Sequence, residues 1–289
     1  MARRKLTIVV TCTDRKLGLP SETLMARSLP AGTVTERASH WHSRVTAARS
    51  ETRLLDLYKG ESWSQAKRLA CTAEKAGFDA EMLVASAGLG LRSVKDLGPV
   101  YAATFTRGHQ DSVATSTADS ALWWSRLPHT VAPTPEVPSI WVLSESYALA
   151  MSDQLSNLDP DDSLVFGGAP DTPESLRVRS DRNLRAALGG TVTSLNTRMA
   201  IRWLEIAGRS APTSTEVRHA WAAWASDAHQ PEQYDRRPLP DGTIRLLIKE
   251  MLGRHPQLSK TVALRNLRAS GIACEQRRFS GLFEEACNE

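Results

Sequence analysis

Four short apolar runs constrain the fold of this chain more than any other feature: LTIVVTC (6–12), AEMLVASA (80–87), SIWVLSE (139–145) and SLVFGGA (163–169). None alternates apolar with polar residues, as a strand with one wet face would. Each is therefore expected to be covered on both faces, as in a parallel sheet. Helical patterns lie between them: SWSQAKRLACTAEKAG (62–77), stopped by Gly77, then TADSALWWSRL (117–127) and ESYALAMSDQLSNL (145–158). The alternation predicts an α/β fold with a four-stranded, mainly parallel sheet flanked by helices, and a helical C-terminal region.

After Pro173 the strand pattern stops. Helices are expected over 194–208, 213–228, 243–255, 259–271 and 272–287, with a polar, Pro-rich connector at 227–242. The expected division is an α/β catalytic domain over residues 1–190 and a helical, basic region over 191–289. Ser259 or Thr261 can start a helix that Gly271 ends, and a second basic helix follows at once, an order resembling a helix-turn-helix. In that reading Arg265, Arg268, Gln276, Arg277 and Arg278 face nucleic acid, while Phe279, Leu282 and Phe283 pack inward. A helical hairpin closing its own core is the open alternative. Residues 243–283 carry eight Lys/Arg against Glu250 and Glu275, so the expected partner is a polyanion, DNA first.

Several classes are set aside. No apolar run approaches the roughly 20 residues of a membrane helix. ARRK followed by LTIVV offers too short a core for a signal peptide, so a cytoplasmic location and no membrane contact are expected. The four cysteines, Cys12, Cys71, Cys274 and Cys287, form no CxxC pair and no zinc spacing with the seven histidines. HWH at 40–42 lacks a third ligand, so neither metal nor cofactor is expected, and no obligate protein partner is evident. GLGLRS (88–93) lacks the third glycine of a dinucleotide fingerprint, and neither a P-loop nor GxSxG occurs.

Ligands of a parallel sheet bind outside the carboxyl ends of its strands. Here those ends deliver TCTDRK (11–16), ASAGLGLRS (85–93), LSESY (143–147) and FGGAPDT (166–172), which together would form one polar rim. Asp14 is a candidate for orienting water or stabilising a cationic sugar, and Glu145 competes for the acid/base role. Thr13, Ser86, Ser144 and the backbone at Gly88 and Gly168 are candidate substrate contacts, since glycine admits close approach. Arg15 and Lys16 are candidate phosphate contacts, with an ion pair to Asp14 as the plainer role. In the loop 97–113, Tyr101 and Phe105 could stack on a base while His109 or Asp111 reads its edge; core filling stays open for Phe105.

Ser86, Ala87, Gly90 and Leu91, followed by Pro99, Tyr101, Thr104 and Phe105, give the chain a family resemblance over about its first 115 residues. They resemble a bacterial family found near DNA-modification and phage-defence genes. A strand ending Ser-Ala-x-x-Gly-Leu is followed there by Pro-x-Tyr-x-x-Thr-Phe. That family is similar to phage-defence DNA glycosylases removing modified cytosine, glucosylated hydroxymethylcytosine among them, on a uracil-DNA-glycosylase-like fold. The resemblance implies base flipping and excision of a modified base from phage DNA, leaving an abasic site without metal or cofactor. The Gly-x-Asp-Pro-Tyr of standard uracil-DNA glycosylases is absent after the first strand, so uracil specificity is not implied. A nucleosidase or ribosyltransferase on nucleotides or tRNA, and a non-catalytic DNA-binding stress protein, are the alternatives.

Overall fold

The computed structural model describes residues 3–134, 136–231 and 236–288. The chain divides into two compact units, residues 1–230 and 231–289. In the first, β1 (Arg4–Thr11), β2 (Phe78–Ser86), β3 (Gly90–Ser93), β4 (Ser139–Leu143), β5 (Ser163–Gly167) and β6 (Arg177–Val178) form one sheet. The strand order is β3-β2-β1-β4-β5-β6. The four expected strands are its parallel core: β1 pairs with β2 from Arg4–Phe78 to Thr11–Ala85, and with β4 from Thr7–Ser139 to Val10–Val142. β5 pairs in parallel with β4.

The sheet has six strands rather than the four expected. β3 folds back antiparallel on β2, opposing Gly90 to Ser86, and Gly90 takes the left-handed φ of +77° that this tight reversal requires. β6 adds two residues in parallel at the far edge, too few to leave any periodicity. Both faces of the central strands are covered: Leu6, Ile8, Val9, Val10, Ile140 to Leu143 and Leu164 to Phe166 are all buried. That explains why the runs do not alternate.

Two groups of helices cover the sheet. α2 (Glu61–Lys75) packs with α5 (Leu195–Ala207), while α1 (Val34–Ala47), α3 (Thr117–Arg126) and α4 (Glu145–Ala150) pack together. The connection from β1 runs outward to β2, and the next returns across β1 to β4. The direction reverses at β1, so the crevice between the carboxyl ends of β1 and β4 is the switch point of the fold. α4 stops at Met151 and helix resumes over Ser152–Ser156, so the expected 145–158 helix is broken.

α1 had no strong apolar signature, because only Ala38 and Trp41 are buried on it. Its start is fixed instead by a capping box. The Thr33 hydroxyl accepts from the Glu36 amide, and the Glu36 carboxylate accepts from the Thr33 amide at 2.8 Å. His40 and His42 flank buried Trp41 on the exposed face of α1, and among the described residues no cluster of His, Cys, Asp or Glu could hold a metal. α5 and α6 (Thr215–Ala228) belong to the sheet unit. The boundary therefore falls at 230/231 rather than 190/191, because Met199, Ala200, Trp203 and Leu204 of α5 are buried within the sheet unit's core.

The second unit holds α7 (Asp241–Arg254), α8 (Lys260–Ala269) and α9 (Gln276–Asn288) around Ile244, Ile248, Leu264, Leu267 and Phe279. Between α8 and α9, Ile272–Ala273 pairs in parallel with Arg237–Pro238. The last helix accordingly begins at Gln276, four residues later than expected. Among the described residues no helix is long and apolar enough to cross a membrane.

Candidate active site

At the switch point the exit of β1 is tied to both neighbours. The Cys12 amide donates to the Ala85 carbonyl at 2.9 Å, and the Cys12 Sγ lies 3.0 Å from the Tyr147 hydroxyl. Ser86, wholly buried at the end of β2, accepts from the amides of Gly88 and Leu89 at 3.1 and 2.9 Å. With both lone pairs engaged, its own proton goes to the Tyr101 hydroxyl 2.5 Å away. Tyr101 in turn meets Tyr58 at 2.9 Å. Burial pushes the phenols of Tyr58, Tyr101 and Tyr147 above the ordinary tyrosine range.

Lys16 closes this cluster. Its ammonium donates to the carbonyls of Thr13 and Asp14 at 3.1 and 3.4 Å and lies 4.2 Å from the centre of the Tyr101 ring. Burial pulls its pKa below the usual lysine value, while the charges of Cys12, Asp14 and Asp111 act in the opposite direction. The ring face of Tyr101 offers a cation–π contact to that ammonium.

Beside the cluster lies an open groove of about 520 Å³. It runs between the exit of β4 (Ser144, Glu145, Ser146) and the segment Phe105–Arg107, with Thr117 and Ser120 of α3 on its wall. Phe105 meets Tyr147 edge-on at 5.0 Å, so the groove rests on the inner cluster. Arg107 is held by a 2.7 Å bond to the Thr117 hydroxyl. Glu145 is the one carboxylate among the lining residues, and its side chain is exposed and makes no hydrogen bond or ion pair among the described residues.

Of the residues singled out in the sequence, Ser144 and Glu145 therefore come together in the groove, while Phe105 beneath it is 2% exposed and packed against Trp124 and Tyr147, so it fills the core rather than offering a stacking face. Asp14 and Arg15 are exposed on the neighbouring strand exit, while the Thr13 hydroxyl is engaged by the carbonyls of Arg15 and Lys59. Other residues have roles different from those expected. Tyr101 is 1% exposed, with one face under Lys16, so it is a core hydrogen-bonding group rather than a stacking platform. Lys16 points to carbonyls rather than outward to phosphate. Asp111 is buried and reads no base edge: its carboxylate pairs with Arg27 at 3.1 Å and accepts the Arg27 amide. His109 accepts the Asp111 amide, and Gly168 packs on Thr172.

Cys12, Tyr58, Arg107, Thr117 and Tyr147 were not assigned site roles from the sequence. LSESY does end on Tyr147, and its distance from a strand exit was the available signal; Tyr58 carried none. Gly88 supplies a sharp test of the cluster. A Cβ there would stand 2.5 Å from two ring atoms of Tyr101. Gly88→Ala should displace Tyr101 from Ser86 and cost about 1–3 kcal/mol, read as a lower urea midpoint at unchanged m-value.

In the second unit Arg265, Gln276 and Arg277 are exposed. Arg268 instead donates twice to the Cys274 carbonyl, and Arg278 is held by Asp241 and the Leu239 carbonyl. These two stabilise the unit's own turn. Phe279 and Leu282 are buried, and Phe283 packs partly buried against the same core.

No family model, curated protein or solved structure matches the chain.

Proposed function

We propose that the chain is a DNA glycosylase that excises a modified base, of the modified-cytosine type, from phage DNA in antiphage defence. The observation that carries this reading is the groove at the β4 exit with Glu145 in its wall. A volume of about 520 Å³ suits a nucleoside-sized group, and an uncommitted carboxylate beside it suits a cationic sugar. The target nucleotide would be flipped into this groove, between Arg107 and the β4 exit. The C1′–N bond breaks with its electron pair leaving on the base, and Glu145 stabilises the oxocarbenium-like cation. Glu145 then takes a proton from the water that adds to C1′ and passes it to the departing base, which restores the carboxylate and leaves a neutral free base and an abasic site. Arg107 and the hydroxyls of Thr106 and Ser144 would hold the sugar–phosphate. Asp14, on the next strand exit, is the second carboxylate available to this rim.

The second unit would grip the backbone through Arg265 and Arg277. Replacing both with Ala should weaken DNA binding across all sequences and reduce the slope of log K against log salt by about 2; fluorescence anisotropy at several salt concentrations reads it. Abasic sites counted after incubation with glucosylated phage DNA test the activity itself. Their appearance is the expected result. None forming under conditions where the protein binds that DNA would overturn the reading, and base release from free mononucleotides at an equal rate would make the enzyme a nucleosidase.

A further inference from the structure

A second pocket of about 420 Å³ lies off the carboxyl end of the edge strand β6. Its floor is apolar, formed by Trp203 and Trp221 with Met199 and Leu184, and its rim carries Arg177, Arg179 and Arg218 against a single carboxylate, Asp181. The two tryptophan rings stand 5.3 Å apart and are tilted by 41°, with Phe166 edge-on behind Trp203; Trp221, the more exposed of the two, presents its edge of this packed aromatic floor to the pocket.

The arginines are held in place by neutral groups. Arg177 donates to the Gly167 carbonyl at 2.8 Å, and Arg218 donates to the carbonyls of Thr213 and Ser175 at 3.3 and 3.1 Å. Neither forms an ion pair among the described residues, and Arg179 pairs only with exposed Glu174. Two guanidinium charges are thus oriented beside an apolar floor with no carboxylate in direct ion-pair contact, the charges of Glu174 and Asp181 lying nearby. A surface built only for stability has little use for that arrangement, since charges beside apolar surface are normally paired. Asp181 accepts the Asn183 amide at 2.9 Å through one oxygen, and its other oxygen lies 3.7 Å from the His229 ring nitrogen, with lone pairs left for a donor at the pocket wall.

An apolar aromatic floor, two cationic forks and one acceptor match a single chemical class. We infer that this pocket binds a nucleoside phosphate, with the base on the Trp203–Trp221 floor, the phosphate on Arg177 and Arg218, and a sugar hydroxyl or base amino group donating to Asp181. Arginine forks fit phosphate oxygens in pairs, and aromatic faces accept any base. The ligand is either a free nucleotide or one nucleotide of a strand passing along the sheet edge. The site is separate from the groove at Glu145 and does not depend on the glycosylase reading.

Isothermal titration with AMP, inorganic phosphate and an eight-residue oligothymidylate tests it, together with quenching of tryptophan fluorescence. Saturable, quenching binding of AMP or the oligonucleotide, about tenfold or more tighter than phosphate, is expected. Binding of AMP identifies a free nucleotide as the ligand; binding of the oligonucleotide alone identifies the strand. Arg218→Ala should weaken that binding about tenfold, and Glu145→Gln should leave it unchanged. Arg177→Ala, the other arginine placed on the phosphate, gives the same reading should Arg218→Ala fail to fold. Absence of binding at millimolar probe, equal binding of phosphate alone, or undiminished binding by both arginine variants would overturn the inference. Base release from DNA is scored separately, so the two proposals fail independently.

Discussion

Glu145→Gln is expected to reduce base release by about 10²- to 10⁴-fold, the contribution typical of a positioned acid/base group. The amide keeps the size of the side chain and removes its charge, so it can neither stabilise a cationic C1′ nor accept the proton of the attacking water. Because Glu145 is exposed and makes no hydrogen bond or ion pair among the described residues, the substitution should change stability by no more than about 0.5 kcal/mol. DNA affinity should also hold, since phosphate contact rests on arginines elsewhere. The informative result is therefore a loss of turnover with intact folding and intact binding. Asp14→Asn is the companion measurement: a larger loss there than at Glu145 would move water activation to the β1 exit. A DNA-binding protein without catalysis would show no base release to lose.

The second large effect is an alkaline loss of stability. Tyr58, Tyr101 and Tyr147 are at most 5% exposed, and burial raises all three phenols. In the unfolded chain they ionise near pH 10; in the folded chain they stay protonated beyond it. Above that pH the folded state holds more protons than the unfolded one, so stability falls as pH rises. Three phenols give a slope of about 4 kcal/mol per pH unit once the unfolded chain is fully ionised. Lys16 acts in the opposite sense. Its lowered pKa lets the folded chain release a proton first, which adds stability with rising pH by one proton at most. The net change above pH 10 is therefore downward. Urea midpoints between pH 8.5 and 11 would read it, with tyrosinate absorbance at 295 nm as a check. Ordinary titration near pH 10 of all four tyrosines in the folded protein would contradict the buried cluster.

The parallel core was legible because both faces of its strands are buried, which prints an unbroken apolar run. β3 and β6 were not: one is a four-residue return from β2 and the other only two residues long. The domain boundary misled for a related reason. α5 and α6 look like a separate helical region along the chain, yet the apolar side of α5 is part of the sheet unit's core. At the site, Ser144 and Glu145 were legible as polar residues directly after β4, whereas Ser86 and its neighbours at the β2 exit are buried rather than part of an open rim. The division between groove and buried cluster could not be read, because Tyr101 and Asp111 look the same in sequence whether they face solvent or a hydrogen-bond partner. Lys16 shows this most clearly, since its orientation is set by two carbonyls and a tyrosine ring brought in by folding.

The most direct test of the account is mass spectrometry of bases released from several modified and unmodified DNAs. Wild-type protein is expected to release a free modified base in step with abasic sites, and Glu145→Gln is expected to release none. Modified DNA that is bound but left with every base attached, or equal release by the Glu145→Gln protein, would contradict it.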